Sequence, residues 1–243
     1  IKVRIGKPIS VNELNEHETI PEFGEFLRKK TYMLSKSFEE KEEENFKLTF
    51  PKFTSPKPAK QIVKPANHEQ IIEEINFLKE GDYQLLQSKN YRVFLVTAEK
   101  IPNILHEIGR LREITFREVG EGTNEAIDLD KYDQYYHHMF LWDEDAQMIA
   151  GAYRMGFGSK IFPKYGLEGF YLNELFKFEP ELNDMMSQSI EMGRAFIISE
   201  YQQKPMPLFL LWKGIVHTTL HYPEHKFLIG GVSISNQFSE FSK

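Results

Sequence analysis

The sequence predicts an α/β protein with a mixed, mainly antiparallel sheet and helices on both faces, preceded by a small appendage. Three observations predict this class. Apolar stretches with strand and helix periodicity alternate from residue 91 onward. A short polar turn joins two strand-like stretches, as in an antiparallel hairpin. A proline- and lysine-rich segment, residues 51–65, separates this region from the preceding one and favours an extended backbone.

The composition limits the function classes. At 243 residues the chain has room for one full domain and a smaller unit. It carries 30 Lys and Arg against 36 Asp and Glu, so no basic field attracts nucleic acid. The absence of cysteine excludes thiolate metal sites and favours a reducing compartment, from which we expect a cytoplasmic protein. The longest apolar run, residues 208–212, is far shorter than the roughly 20 residues of a membrane-spanning helix.

The chain divides into three regions. Residues 1–45 begin with an alternating strand pattern rather than a signal peptide and continue in a helical pattern that carries Phe23, Phe26 and Leu27 on one face. We interpret them as the tail of an upstream domain. Residues 46–66 form the Pro/Lys-rich linker, and residues 67–243 form the main domain. A helix that is capped by Asn67 and ended by Gly81 opens this domain.

The main domain then alternates strands and helices. We expect a strand at 91–98, a helix at about 101–119, a break at "GEGTN", and the hairpin of "MFLWD" with "QMIAGAYRMG". A strand at about 189–198, a helix at about 207–220 and the short strand "KFLIGGVSI" follow. No glycine-rich turn follows the first strand, which argues against a doubly wound nucleotide fold.

Three aspartates lie within six residues ahead of the hairpin. Because Asp128, Asp130 and Asp133 repel one another, an amine, an arginine or a metal ion would relieve the repulsion. A solvated acidic loop is the alternative, and the residues alone favour it. Calcium fits poorly, since an EF-type loop needs an acid and then a glycine where Tyr132 and Asp133 stand.

Charged residues also interrupt two apolar strands. Arg154 lies within "MIAGAYRMG", and Glu191 and Arg194 lie within "IEMGRAFI", so each must meet an opposite charge or a ligand. Residues three apart on a strand point to opposite faces unless a bulge intervenes, and Gly193 is a natural bulge site. A buried ion-pair network that only fixes the sheet is the alternative, but its cost favours a functional site.

The histidines do not form a metal signature. Adjacent strand residues face opposite ways, so His137 and His138 cannot chelate one ion. His217 and His221 have helical spacing but lack the glutamate of the metalloprotease motif. Neither a GxSxG elbow nor a Walker loop is present in the sequence. We therefore predict no metal site.

Five segments in order, "LREITFREVGEG", "DLDKYDQYYHHMFLWD", "IAGAYRMG", "GFYLNELF" and "SIEMGRAFI", resemble the acyltransferase branch of the GNAT superfamily. That branch contains ornithine-lipid and glycine-lipid N-acyltransferases and, more distantly, acyl-homoserine-lactone synthases. The resemblance covers residues 91–236. It extends to a Bacteroidetes-type group labelled hemolysin, in which such a domain follows a lysophosphatidate-acyltransferase-like domain. Residues 1–34 look like the end of that upstream domain.

The resemblance implies a GNAT-like fold and transfer of a fatty acyl group, usually from acyl carrier protein, to an amine. It implies no tightly bound cofactor, with acyl-ACP or acyl-CoA as the donor. By position, the substrate-binding residues would be Arg112, Phe116, Asp128, Asp130 and Asp133, and the catalytic residues would be Glu191, Arg154 and Arg194. The aspartates would hold the amine and would pair with Arg112 or Arg154 in its absence. Glu191 would accept the proton.

Ordinary acetyl-CoA-using members bind the diphosphate on a glycine-rich turn at a helix N-terminus. Here the corresponding stretch, "SEYQQKPMPLFLLWKG", offers Gln202, Gln203 and Lys204 without those glycines, which favours acyl carrier protein over free CoA. We expect as partners acyl carrier protein and a small amine, but no nucleic acid, and for a lipid product a peripheral contact with the inner membrane. The alternative function is a non-catalytic acyl-carrier- or lipid-binding module that serves an upstream acyltransferase. A membrane-lytic protein is disfavoured, because no strongly amphipathic cationic helix is visible in the sequence.

Overall fold

The computed structural model describes residues 9–10, 13, 19–35 and 58–231, and the chain divides into two units between Ser55 and Pro56. In the first unit, helix α1 (Ile20–Ser35) confirms the predicted helical segment, and the rings of Phe23 and Phe26 stack at 6.3 Å. The strand predicted at the start of the chain lies in residues 1–8, outside the described residues. The linker prediction falls within them only from residue 58.

The second unit is built on one six-stranded sheet whose strands lie side by side in chain order. The strands are β1 (Gln84–Ser88), β2 (Tyr91–Thr97), β3 (His137–Asp143), β4 (Met148–Phe157), β5 (Ser189–Ile197) and β6 (Phe227–Ile229). The neighbours from β1 to β5 are antiparallel, and β5 and β6 are parallel. The predicted mixed, mainly antiparallel sheet is confirmed, whereas β1 was not predicted.

Helices cover both faces of the sheet. They are α2 (His68–Glu80), α3 (Pro102–Glu118), α4 (Gly158–Tyr165), α5 (Leu172–Leu175), α6 (Asn183–Ser187), α7 (Ser199–Gln202) and α8 (Pro205–His221). Four consecutive residues of β2, 93–96, are buried, as expected for a strand that is covered on both sides. Asn67 caps α2 as predicted, since its side chain accepts the backbone N–H groups of Glu69 and Gln70. Within residues 19–35 and 58–231, none of the helices is long and apolar enough to cross a bilayer.

Helix α3 buries an arginine together with its apolar residues. Ile104 and Ile108 face the core, and Arg112 is fully buried on the same helix. The segment between β4 and β5 adds a smaller core, in which Tyr136 packs with Phe170 and their neighbours. The acidic segment before β3 is therefore enclosed by α3, β4 and the residues around 170.

Strand β5 pairs irregularly with both of its neighbours. The register runs from Ala152 opposite Phe196 to Arg154 opposite Gly193, so β5 contains one extra residue there. This confirms the predicted bulge, but Arg194, with φ of 50°, adopts the left-handed conformation. The ladder to β6 ends at the pair Glu191 and Ile229, although β5 continues for six more residues. Among the described residues, no further rung joins the two strands beyond Glu191, although Gly230 still lies close to the Met192 carbonyl oxygen.

Candidate active site

A short turn fixes the acidic segment. The Asp130 carboxylate accepts the N–H of Tyr132 at 2.8 Å, and the Asp133 carboxylate accepts the N–H of Asp130 at 2.8 Å. This reciprocal capping box holds the 3-10 turn of residues 131–134. The D-x-x-D spacing therefore places two carboxylates side by side.

Arg112 neutralises the buried part of this segment. Its guanidinium donates to both carboxylate oxygens of Asp133, at 3.1 and 2.9 Å, and its Nε lies 3.0 Å from Asp128 Oδ2. Burial alone would raise the pKa of Asp133, but the charge and hydrogen bonds of Arg112 outweigh burial and hold this pKa well below its ordinary value. Asp128 and Asp133 are only 2% exposed, so they face the protein rather than solvent.

Arg154 completes the buried network from β4. Its Nη1 donates to Asp130 at 2.6 Å and lies 3.2 Å from Asp133. Three tyrosine rings surround the guanidinium carbon at 5.3 to 5.6 Å from their centroids, which is cation–π distance. These rings belong to Tyr132, Tyr136 and Tyr171. The prediction that Arg112 or Arg154 pairs with the aspartates is confirmed, and both do so.

Arg194 joins this network to the molecular surface. Its Nε lies 3.7 Å from Asp128, and its Nη2 lies 3.8 Å from Asp130. The Arg194 side chain is 21% exposed, and its guanidinium lies 5.1 Å from the Tyr171 ring centroid. Asp130 is the most exposed of the three aspartates at 27%, so it is the one that a ligand beside Arg194 can approach.

Glu191 is buried at the last rung of the ladder between β5 and β6. One carboxylate oxygen accepts the Tyr136 hydroxyl at 2.7 Å and the Tyr171 N–H at 3.1 Å, and the other accepts the Leu172 N–H at 3.1 Å. Burial raises the pKa of Glu191, although these hydrogen bonds and Arg154 act in the opposite direction. A carboxylate has about four lone-pair sites, so one remains for a proton or a water molecule.

A cavity of about 590 Å³ is lined on two sides by β5 and by residues 228–231. Glu191, Gly193 and Arg194 form one wall, and Ile229 lies in the opposite strand. A second cavity of about 310 Å³ adjoins it. The residues that line both cavities are Phe116, Glu121, Tyr153 and Ala195.

The structure thus brings some of the predicted site residues together in one cleft. Glu191, Arg194 and Phe116 line the larger cavity. The other five predicted residues, Arg112, Asp128, Asp130, Asp133 and Arg154, line neither cavity and form the network beside Arg194.

Of the three residues predicted to bind the acyl donor, one lines a cavity and two do not. Gln202 lines the second cavity, and its side chain donates to the Ile197 carbonyl at 2.9 Å. Gln203 and Lys204 line neither cavity, and the Lys204 ammonium lies 3.9 Å from the ring centroid of Tyr201. Helix α8 then begins with prolines at positions 205 and 207, which remove two of its first N–H donors.

The sequence did not predict the three tyrosine rings that surround the Arg154 guanidinium. The run "KYDQYYHH" places Tyr132 and Tyr136 beside the aspartates, which was the available signal, whereas Tyr171 has no such neighbour in sequence. His138 supports the network from β3, since its Nε2 lies 2.9 Å from the Asp133 carbonyl oxygen and burial lowers its pKa to about 4. Among the described residues, no cluster of three or more His, Asp or Glu side chains could hold a metal ion.

Comparison with known proteins gives one family match, which includes most of the candidate site. Residues 111–212 match the family described as acetyltransferase (GNAT) domain. The mainly antiparallel sheet is consistent with the fold of that family, and the matched residues run from helix α3 into helix α8.

Two curated relatives are more specific. The chain is 30% identical over 185 residues to a glycine N(alpha)-acyltransferase of Bacteroides thetaiotaomicron, covering 72% of this chain and 54% of the relative. It is 29% identical over 185 residues to a glycine N(alpha)-acyltransferase of Phocaeicola vulgatus, covering 72% of this chain and 56% of the relative. The chain therefore spans about half the length of the curated relatives it matches.

One solved structure is also similar. It is the crystal structure of the AHL synthase LasI, with a TM-score of 0.38 and 14% identity. The similarity covers 59% of this chain and 72% of that chain. A likeness at this level supports no further argument.

Proposed function

We propose that this chain is an N-acyltransferase that moves a fatty acyl group from acyl carrier protein, or from acyl-CoA, to the amine of an amino acid or related small amine in membrane-lipid biosynthesis. The observation that carries the proposal is the cavity between β5 and residues 228–231 with Glu191 in its wall. The GNAT match and the two relatives named glycine N(alpha)-acyltransferase support it.

The proposed reaction forms a C–N bond and breaks a C–S bond. The ammonium group of the acceptor first loses a proton to Glu191, directly or through water, because only the free amine is a nucleophile. The amine attacks the thioester carbonyl, and the nitrogen loses a second proton as the tetrahedral adduct collapses to the amide. One of the two protons is taken by the departing thiolate, and the other goes to solvent.

The bulge supplies candidate donors for the developing negative charge on the carbonyl oxygen. Arg194 and Ala195 are out of register with β4, and both line the cavity. Backbone N–H groups that point at the position of an oxyanion typically contribute 10²–10³-fold in rate. The pantetheine arm would lie along β5 beyond Glu191, where no rung to β6 is present in the described part of the chain, as an added strand does at an open sheet edge.

Two features support a fatty acyl chain and acyl carrier protein as the parts of the donor. The smaller cavity is lined mainly by apolar side chains, including Val119, Phe196 and Leu208, which suits an acyl chain. Pro205 and Pro207 leave the α8 N-terminus poor in N–H donors, which weakens a diphosphate grip and favours acyl carrier protein.

Helix α8 supports a peripheral contact with a lipid surface. Its outward face exposes the apolar residues Leu208, Phe209, Trp212, Val216 and Leu220. The helix contains no Asp or Glu, and Lys213 is exposed on it, so an anionic lipid surface is complementary to this face. Loss of sedimentation with anionic vesicles in Trp212→Ser, while the protein stays folded, would support this part. Equal sedimentation of both proteins would contradict it.

The proposal retains residues 1–45 as the tail of an upstream lysophosphatidate-acyltransferase-like domain that is followed by the linker at 46–66. The division of the chain between Ser55 and Pro56 supports a boundary within that linker.

Glu191→Gln tests the catalytic role. We expect acyl transfer to glycine to fall by roughly 10²–10⁴-fold, with binding of acyl carrier protein retained. Tyr136→Phe is the matched control, because it removes one hydrogen bond to Glu191 but keeps the carboxylate. Unchanged turnover in Glu191→Gln would refute the base assignment. Binding of acyl carrier protein with no transfer to any amine by the unaltered protein would favour the non-catalytic module.

A further inference from the structure

Arg194 is the least paired of the three clustered arginines. Arg112 reaches Asp133 at 2.9 Å and Arg154 reaches Asp130 at 2.6 Å, both within hydrogen-bond range. The carboxylate contacts of Arg194, at 3.7 and 3.8 Å, are beyond that range. Its Nε is buried and has no hydrogen-bond partner among the described residues. Asp133 and Asp130 accept hydrogen bonds from the other two arginines, whereas Arg194 donates none to these carboxylates within hydrogen-bond range, so it retains donors for a ligand.

Arg194 also lines the larger cavity, in which a ligand would bind. Among the described residues that line the two cavities, it is the sole Lys or Arg. Its left-handed backbone conformation is uncommon for a residue with a side chain, and such conformations cluster at ligand-binding and catalytic sites. The Tyr171 ring beside the guanidinium limits its movement by a cation–π contact.

The chemistry of the cavity matches an amino acid at two points. A guanidinium presents parallel N–H groups that fit a carboxylate, and Glu191, three residues earlier on β5, provides the opposite charge for an ammonium group. We propose that Arg194 binds the carboxylate of the acceptor, so that the site selects amino acids over amines without a carboxylate. This inference rests on the proposed acyltransferase function and assigns the acceptor-binding residue within it.

The test compares glycine with glycinamide, which has the amine but no carboxylate. The full-length protein is assayed for amide product with a fixed acyl donor, and KM is measured for glycine, glycinamide and the donor. Arg194→Met removes the charge, and Arg194→Lys keeps it without the paired donors. Arg92→Met is the matched control, because Arg92 is 24% exposed, pairs with Glu144 and lines neither cavity.

We expect the unaltered protein to prefer glycine. In Arg194→Met, KM for glycine should rise about tenfold to a hundredfold, which is the loss expected for a charged hydrogen bond. KM for glycinamide and for the donor should stay the same, and Arg194→Lys should be intermediate. Arg92→Met should retain the preference for glycine.

Each other result is decisive. Equal use of glycine and glycinamide by the unaltered protein overturns the inference. So does an equal loss for both amines in Arg194→Met, which would indicate a structural role, or a rise in KM for the donor alone, which would assign Arg194 to a donor phosphate. Absence of transfer to any amine by the unaltered protein instead refutes the proposed function, and is thereby distinguished from failure of this inference.

Discussion

Replacement of Arg112 by methionine should destabilise the second unit strongly, because it leaves two buried carboxylates without their main partner. Removing one partner of a buried ion pair costs about 3–5 kcal/mol. Arg154 remains 3.2 Å from Asp133, so we expect the lower half of that range, about 3–4 kcal/mol. For a domain of this size about 2–4 °C of Tm is lost per kcal/mol, which predicts a fall of roughly 6–16 °C.

The assay is thermal and urea unfolding followed by circular dichroism. Arg110→Met is the control, since Arg110 is on the same helix and pairs with Glu107 three residues before it. That pair should contribute only about 0.2–0.5 kcal/mol. The double variant with Asp133→Asn should lose less than the sum of the two single variants, because their side chains interact directly.

The pH dependence of the free energy of unfolding tests the Arg112→Met substitution in a second way. The pKa of Asp133 is lower in the folded protein than in the unfolded chain. Its ionisation therefore stabilises the fold fully above the unfolded-state pKa of about 4, and this contribution declines as the pH falls below that value. The difference in stability between the unaltered protein and Arg112→Met should stay nearly constant from pH 7 to about pH 4 and should narrow as the pH falls below that value. A loss below 1 kcal/mol at pH 7, or a gap that does not narrow, would refute the reasoning.

Three further predictions follow from the site. Transfer by the unaltered protein should increase as the pH rises through the pKa of Glu191, which burial raises above its ordinary value, and a flat profile down to pH 4 would argue against a base role for Glu191. Gly193→Val should fold normally but lose transfer, because a Cβ there meets no atom within 4 Å and projects into open space; unchanged transfer would place the reaction elsewhere. Because burial lowers the pKa of His138 to about 4, its neutral form stabilises the fold fully above the unfolded-state value of about 6.5, and this contribution is lost between pH 6.5 and 4. Urea unfolding of His138→Asn should show a weaker loss across that interval.

The sequence supported the fold well where its signals were local. The hairpin of β3 and β4, the cap at Asn67 and the bulge after Gly193 each depend on neighbouring residues, and all three were predicted. Strand β1 was missed because "QLLQS" is short and shows no clear alternation.

The candidate site was predicted in composition but not in arrangement. Repulsion among the aspartates indicated a cationic partner. Which aspartate each of Arg112 and Arg154 contacts, however, depends on how α3 packs beside β4 and the 131–134 turn. Tyr171 reaches the site from a segment of short helices, whose path has no periodic signal. The bulge was expected at Gly193, and no signal in the sequence indicated that Arg194 beside it would adopt the left-handed conformation.

Under the proposed function, the donor would extend the sheet where the ladder between β5 and β6 ends. Strand β6 has three residues, and its last rung pairs Ile229 with Glu191. If a pantetheine arm fills the gap beyond that rung, its amides become additional rungs and join the two strands. The donor would then be a temporary structural element as well as a reactant, and the domain would become stiffer on loading and loosen again on product release.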